Sequence, residues 1–145
     1  MQNHQTVVSL EKVLANSYAL YLKTQNYHWN VVGANFKSLH ELFDGQYNDL
    51  AAAIDEIAER IRALGVKVDG TFENFSKLSK IKSGDKNAKN EAMIRDLISD
   101  NETVSNFLKE GIKAAQSEED EGTADLLIGR LKVHEKAIWM LQSSQ

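Results

Sequence analysis

The chain has 145 residues, with Lys+Arg 17 against Asp+Glu 21 for a formal charge of −4, 42% hydrophobic residues, no Cys and no Pro. That length fits one domain, residues 1–145, burying about 68–70% of the surface its unfolded chain exposes, and the lack of cysteine excludes disulfides, zinc–thiolate sites and thiol nucleophiles. The acidic balance argues against a protein devoted to neutralising nucleic-acid phosphates; with no apolar run of bilayer length and no signal-like start at Met1 to Lys12, the expectation is a soluble, cytoplasmic protein.

The absence of proline fits a chain that spends itself on long helices. Leu10, Leu14, Tyr18, Tyr21, Gln25 and His28 recur at spacings of three and four and predict a first helix from Val7 to about Val32. Gly33 interrupts it. Asn35 is placed to cap a second helix running to Leu64, and Gly65 stands where a left-handed C-terminal residue belongs. The stretch from Val66 to Asn87 is too long for a hairpin loop, and its Phe72, Phe75, Leu78 and Ile81 predict a short helix packed across the others. A third long helix follows from Met93, Leu97, Val104, Leu108, Ile112 and Ala115. After the acidic stretch Glu118 to Gly122, a fourth follows from Leu127, Leu131, His134, Ile138 and Leu141. Four one-sided helices imply an all-α bundle, because each apolar stripe must be covered by the others. Two short connections around one long crossover resemble the ferritin-like four-helix arrangement rather than a simple up-and-down bundle.

The second helix carries the chemistry. Turned at about 100° per residue from His40, its Leu39, Phe43, Leu50, Ile54, Ile57, Ile61 and Leu64 fall between roughly 240° and 320° and form the core stripe. His40, Asp44, Ala51, Asp55, Ala58 and Glu59 fall between roughly 0° and 100°, so metal-ligand side chains share a face with small residues. Alanines beside His and carboxylates mark a surface that another helix approaches. His40 with Asp44, and Asp55 with Glu59, are i, i+4 pairs able to reach one ion each. The two pairs cannot share an ion within a chain, since His40 and Asp55 stand roughly 22 Å apart along the helix while metal–ligand bonds are about 2 Å. A second copy running antiparallel across a two-fold axis solves this: position 40 then meets 59, and 44 meets 55. Two equivalent sites per dimer follow. His28, brought near by the short link through Gly33, can add a nitrogen. The resulting set of His, Asp and Glu without sulfur suits Fe(II), Mn(II) or Zn(II).

The segments Tyr27-His-Trp-Asn-Val-Val-Gly33, Leu39-His-Glu-Leu-Phe-Asp44 and Asp55-Glu-Ile-Ala-Glu-Arg-Ile61 resemble the signature of the Dps family of dodecameric mini-ferritins. The likeness extends to Asp120-Glu-Gly-Thr-Ala-Asp-Leu-Leu127 and His134-Glu-Lys-Ala-Ile-Trp-Met140 and covers nearly the whole chain. It implies a hollow twelve-subunit shell that binds Fe(II), oxidises it with hydrogen peroxide or oxygen, and stores Fe(III) mineral, so protecting the cell from oxidative damage. The family's ferroxidase ligands carry over onto His28, His40, Asp44, Asp55 and Glu59, in sites shared between subunits, with iron as the metal. Ordinary ferritins use Glu-x-x-His pairs inside one bundle, and no Glu-x-x-His occurs here. The resemblance also implies that Trp29 lies near the iron and takes up an oxidising equivalent; the plainer reading is a core or interface aromatic.

By the same resemblance Asp120 and Asp125 would stand near pores that draw iron inward, although acidic residues are favoured in the first turn of a helix in any case. His134 reads as a packed histidine with a local hydrogen bond, His4 as a mobile terminal residue, and Trp139, Met140, Tyr18, Tyr21 and Tyr47 as core or contact residues. Dps proteins that compact DNA commonly carry a basic tail. Met1 to Glu11 and Leu141 to Gln145 hold no Lys or Arg, so direct DNA binding is not expected of this chain. Lys77, Lys80, Lys82, Lys86 and Lys89 read as a solvated loop. The alternative function is a nucleoid-associated DNA-binding shell with little catalytic role.

Overall fold

Among residues 4–145, which the computed structural model describes, the chain forms five helices: α1 (His4–Asn30), α2 (Phe36–Ala63), α3 (Phe72–Leu78), α4 (Asn90–Ser117) and α5 (Glu121–Gln142). This is the all-α, ferritin-like bundle expected, with α3 as the short helix in the crossover. Contacts from one end to the other set its topology. Asn90, the first residue of α4, donates its side-chain amide to the Val32 carbonyl at 2.6 Å, and Glu118, just beyond the end of α4, accepts from the Thr6 backbone N–H at 2.8 Å. Thus α4 starts where α2 starts, and the crossover runs back along the bundle between two antiparallel pairs. His4 opens α1 as a helical residue rather than forming a loose end.

The turns follow from backbone chemistry. Gly65 has φ 92°, its N–H bonds to the Arg62 carbonyl at 2.9 Å, and the Val66 N–H bonds to the Ile61 carbonyl at 3.3 Å. That pair of bonds is the Schellman closure expected of a C-terminal glycine. Asn35 precedes α2 but makes no side-chain cap. Its expected capping role is not what starts that helix; the Gly33 turn, with φ 97°, does.

A second closure of the same kind ends α4, with Glu119 in the glycine position at φ 58°; its N–H reaches the Gln116 carbonyl at 3.1 Å and the Asp120 N–H reaches the Ala115 carbonyl at 2.8 Å. A side chain there costs about 1–2 kcal/mol relative to the right-handed region. Glu119→Gly should therefore stabilise the fold by about 0.5–1 kcal/mol, read as a rise in the thermal midpoint; an unchanged or lower midpoint would refute the strain.

The core is the expected one on α2 and α4. Leu39, Phe43, Leu50, Ile57 and Ile61 meet Met93, Leu97, Val104 and Leu108, with Leu10, Leu20 and Tyr27 from α1 and Leu127 and Leu141 from α5. On α1 the buried side is wider than the predicted stripe, because this helix packs against both α2 and α4: Val13, Lys23 and Thr24 are buried, whereas Tyr18, Tyr21 and Gln25 are half-buried. Trp139 and Met140 are 61% and 38% exposed, so neither is a core residue.

Two polar seams cross the bundle. Buried Lys23 of α1 approaches Asp100 of α4 to 2.8 Å, and next to them the Tyr27 hydroxyl donates to Asp96 at 2.6 Å. Burial pushes the Asp100 carboxyl above its usual range, opposed by Lys23, and burial together with the Asp96 bond pushes the Tyr27 phenol upward. In the second seam His134 donates from Nδ1 to the Asn101 side-chain oxygen at 2.8 Å and accepts at Nε2 from Arg130 at 3.2 Å, while Arg130 pairs with Asp49 at 3.0 Å. Burial, reinforced by the Arg130 charge, lowers the His134 pKa to about 3. His134 is thus a neutral packed histidine with both nitrogens occupied, as its place on the apolar stripe predicts.

Candidate metal centre

The turn through Gly33 folds the end of α1 against the start of α2, and this places His28 beside His40. Their rings stack with centroids 3.8 Å apart and planes 17° from parallel. Each imidazole bonds to the other residue's backbone: His28 Nδ1 to the His40 carbonyl at 2.7 Å, and His40 Nδ1 to the His28 carbonyl at 2.8 Å. A carbonyl only accepts, so both Nδ1 atoms carry the proton and donate. In the neutral imidazoles this leaves the lone pair on Nε2, which is the tautomer a metal-ligating histidine needs and the kind of outer bond that orients one.

Asp44, one turn beyond His40, brings Oδ1 to 3.9 Å from His28 Nε2. That is too far for a hydrogen bond and within the roughly 4.2 Å that two ligands can span when each is about 2.1 Å from one ion. Nitrogen and carboxylate donors without sulfur fit Fe(II), as well as Mn(II) and Zn(II). Among the described residues, no three His, Asp or Glu side chains converge closely enough to hold an ion within one chain.

Asp55 and Glu59 lie further along α2, exposed and away from the histidines. With Ala51 and Ala58, Asp55 lines an open cavity of 680 Å³ whose other wall includes Phe72 and Phe75. Of the five candidate ligands, one chain therefore sets His28 beside His40 and, separately, within 3.9 Å of Asp44, and leaves Asp55 and Glu59 exposed.

The other candidates sit differently. Trp29 is 61% exposed, which removes the core reading, and it lines a separate 460 Å³ cavity with Leu22, Asn26 and Phe72. Asp120 caps α5, accepting from the Thr123 N–H at 3.1 Å and hydroxyl at 2.6 Å, and pairs with Arg60 at 2.9 Å. These bonds and the Arg60 charge outweigh burial and hold its carboxyl below the usual range. Its oxygens are engaged within the chain, as the capping reading expects. Asp125 is exposed on α5, and Lys77, Lys80, Lys82, Lys86 and Lys89 are exposed along or beside the crossover.

Two neighbours of the centre escaped the sequence reading. Phe36 stacks on His40 with centroids 5.0 Å apart, and Tyr47 lies 5.1 Å from the His28 ring. The signal was available, since Phe36 is four residues before His40 and Tyr47 seven after it, both on its face of the helix.

Residues 8–144 match the family described as ferritin-like domain. DNA protection during starvation protein 2 of Bacillus anthracis is 38% identical over 141 residues, which cover 97% of each chain. The crystal structure of a Dps protein from Bacillus brevis aligns with a TM-score of 0.94 at 32% identity, over 98% of this chain and 95% of that one. A Dps protein from Vibrio cholerae, described as a member of a broad superfamily of ferritin-like diiron-carboxylate proteins, aligns with a TM-score of 0.93 at 30% identity, over 98% and 89%.

Proposed function

The chain belongs to the ferritin-like family and, within it, to the Dps proteins, and from that premise we propose that it is a cytoplasmic mini-ferritin that oxidises Fe(II) and stores Fe(III) as mineral in a hollow shell. In this reading residues 1–145 form one ferritin-like domain, and twelve copies assemble from two-fold dimers. Iron is the substrate and cargo. Hydrogen peroxide, or oxygen, accepts the electrons: two Fe(II) supply one each, and with two protons a peroxide becomes two waters.

One observation carries the proposal, the reciprocal bonding of His28 and His40, which fixes both rings through Nδ1 and leaves Nε2 of each for another partner. Preorganised donors spare the ordering cost at the moment of binding. The remaining ligands come from a second chain: antiparallel packing of two α2 helices brings Asp55 and Glu59 of the partner subunit to His40 and Asp44, and closes the exposed alanine face. Each completed site then has three carboxylates, whose combined charge balances Fe(III) better than Fe(II) and so favours the oxidised ion.

Light scattering before and after aerobic or peroxide-driven Fe(II) loading tests the assembly and the storage together. The expected result is a particle of about twelve subunits that gains mass on loading without changing radius. A species of 16.3 kDa that takes up no iron would overturn the proposal.

A further inference from the structure

We propose that Tyr47, Tyr21 and Tyr18 form a one-electron relay that carries oxidising equivalents away from the His28 and His40 centre along the seam between α1 and α2. The inference rests on the iron-oxidising reading above. The geometry is a continuous row of rings: His28 to Tyr47 at 5.1 Å between centroids, Tyr47 to Tyr21 at 6.0 Å, and Tyr21 to Tyr18 at 5.7 Å in an edge-on contact. Tyr18 then meets Phe75 at 5.1 Å. Every separation lies within the span of direct aromatic contact, so no aliphatic gap interrupts the row. Phenylalanine is far harder to oxidise than tyrosine, and the relay therefore ends at Tyr18.

Helical spacing builds this row. Tyr18, Tyr21 and His28 share one face of α1, and Tyr47 projects from α2 two turns after His40. All three tyrosines are half-buried, close enough to water to exchange a phenolic proton. Tyr27, by contrast, is buried with its hydroxyl committed to Asp96, and Trp29 has no aromatic contact among the described residues.

The relay matters when a single Fe(II) meets hydrogen peroxide. One electron then cleaves the O–O bond and yields Fe(III), hydroxide and a hydroxyl radical. That radical takes an electron and the phenolic proton from Tyr47 and becomes water. Tyr21 reduces the Tyr47 phenoxyl radical, which regains a proton from water as Tyr21 releases its own; Tyr18 repeats the exchange with Tyr21. In sum, a hydroxyl radical and the Tyr18 phenol become water and a Tyr18 phenoxyl radical. Tyr18 also lines the 460 Å³ cavity beside α3, where a soluble thiol can return an electron and a proton.

The test loads the assembled protein with Fe(II) under anaerobic conditions, adds substoichiometric hydrogen peroxide with a nitroso spin trap, and maps the adducts by peptide mass spectrometry. Fe(II) consumption is read in parallel. In the parent the main adduct is expected on Tyr18. Tyr21→Phe keeps the ring and its packing, and should lose the Tyr18 adduct and gain one on Tyr47 while Fe(II) is consumed at the parent rate. An undiminished Tyr18 adduct in that variant, or a parent labelled mainly on Trp29, overturns the relay and leaves the iron reading standing. A parent that consumes no Fe(II) overturns both.

Discussion

Co-expression of His40→Ala chains with Asp55→Ala chains should restore about a quarter of the parent's initial rate of Fe(II) oxidation, because random pairing makes half of the dimers mixed and each mixed dimer keeps one intact site of two. Either variant alone is expected to lose roughly 10–100-fold or more, the usual cost of disturbing even an outer partner of a metal site. Asp44 approaches His28, Asp55 and Glu59 stand apart on an open face, and no chain assembles three such groups around one ion among the described residues. In a mixed dimer one site carries both substitutions, while the other joins an unaltered His40 to an unaltered Asp55. Two variants with sites complete within a chain would show no restoration when mixed, and that result would disprove sharing. Variants as active as the parent would remove these residues from the chemistry altogether.

Lys23→Met should destabilise the fold by about 3–5 kcal/mol at pH 7, the cost of leaving one member of a buried ion pair without its partner. Lys23 and Asp100 are 7% and 9% exposed and 2.8 Å apart, so removal of the ammonium strands a carboxylate between α1 and α4. The pH dependence has a definite sign. Burial raises the Asp100 carboxyl above its ordinary value even with Lys23 present; stability linked to that proton is therefore full below the unfolded value near 3.8 and lost as pH rises through the folded one. Without Lys23 the carboxyl rises further, so the deficit of the variant is largest at neutral pH and shrinks on acidification. Adding Asp100→Asn to Lys23→Met should recover much of the loss at pH 7. Urea unfolding at two pH values measures all three outcomes, and a Lys23→Met variant within about 1 kcal/mol of the parent at pH 7 would mean that the pair is too well solvated to matter.

The site on α2 was legible because helical periodicity is local: His40, Asp44, Asp55 and Glu59 share a face by spacing alone, and so do Leu39, Phe43, Leu50, Ile57 and Ile61 on the opposing stripe. Gly65 closes α2 as expected. Where a residue's partner lies far away in sequence, spacing carried no information. Nothing in the spacing pairs Asp120 with Arg60, sixty positions earlier, yet the two stand 2.9 Å apart. Glu119, rather than a glycine, takes the left-handed position after α4, which its residue type does not announce. Trp29 gave no sign of its exposure, since alternation along α1 does not say which of two neighbouring helices covers a given side.

The amino-acid order alone determined that the chain is a bundle of long helices with one extended crossover, and that its candidate ligand residues on α2 fall into two groups too far apart to serve one ion. Both conclusions need only the rise and pitch of a helix. Tertiary structure decided the reciprocal backbone bonds of His28 and His40, the burial of Lys23 against Asp100, and the unbroken row from His28 to Tyr18. Each of those depends on ångström distances between different helices, and such distances are settled by how whole faces pack rather than by the spacing within any one of them.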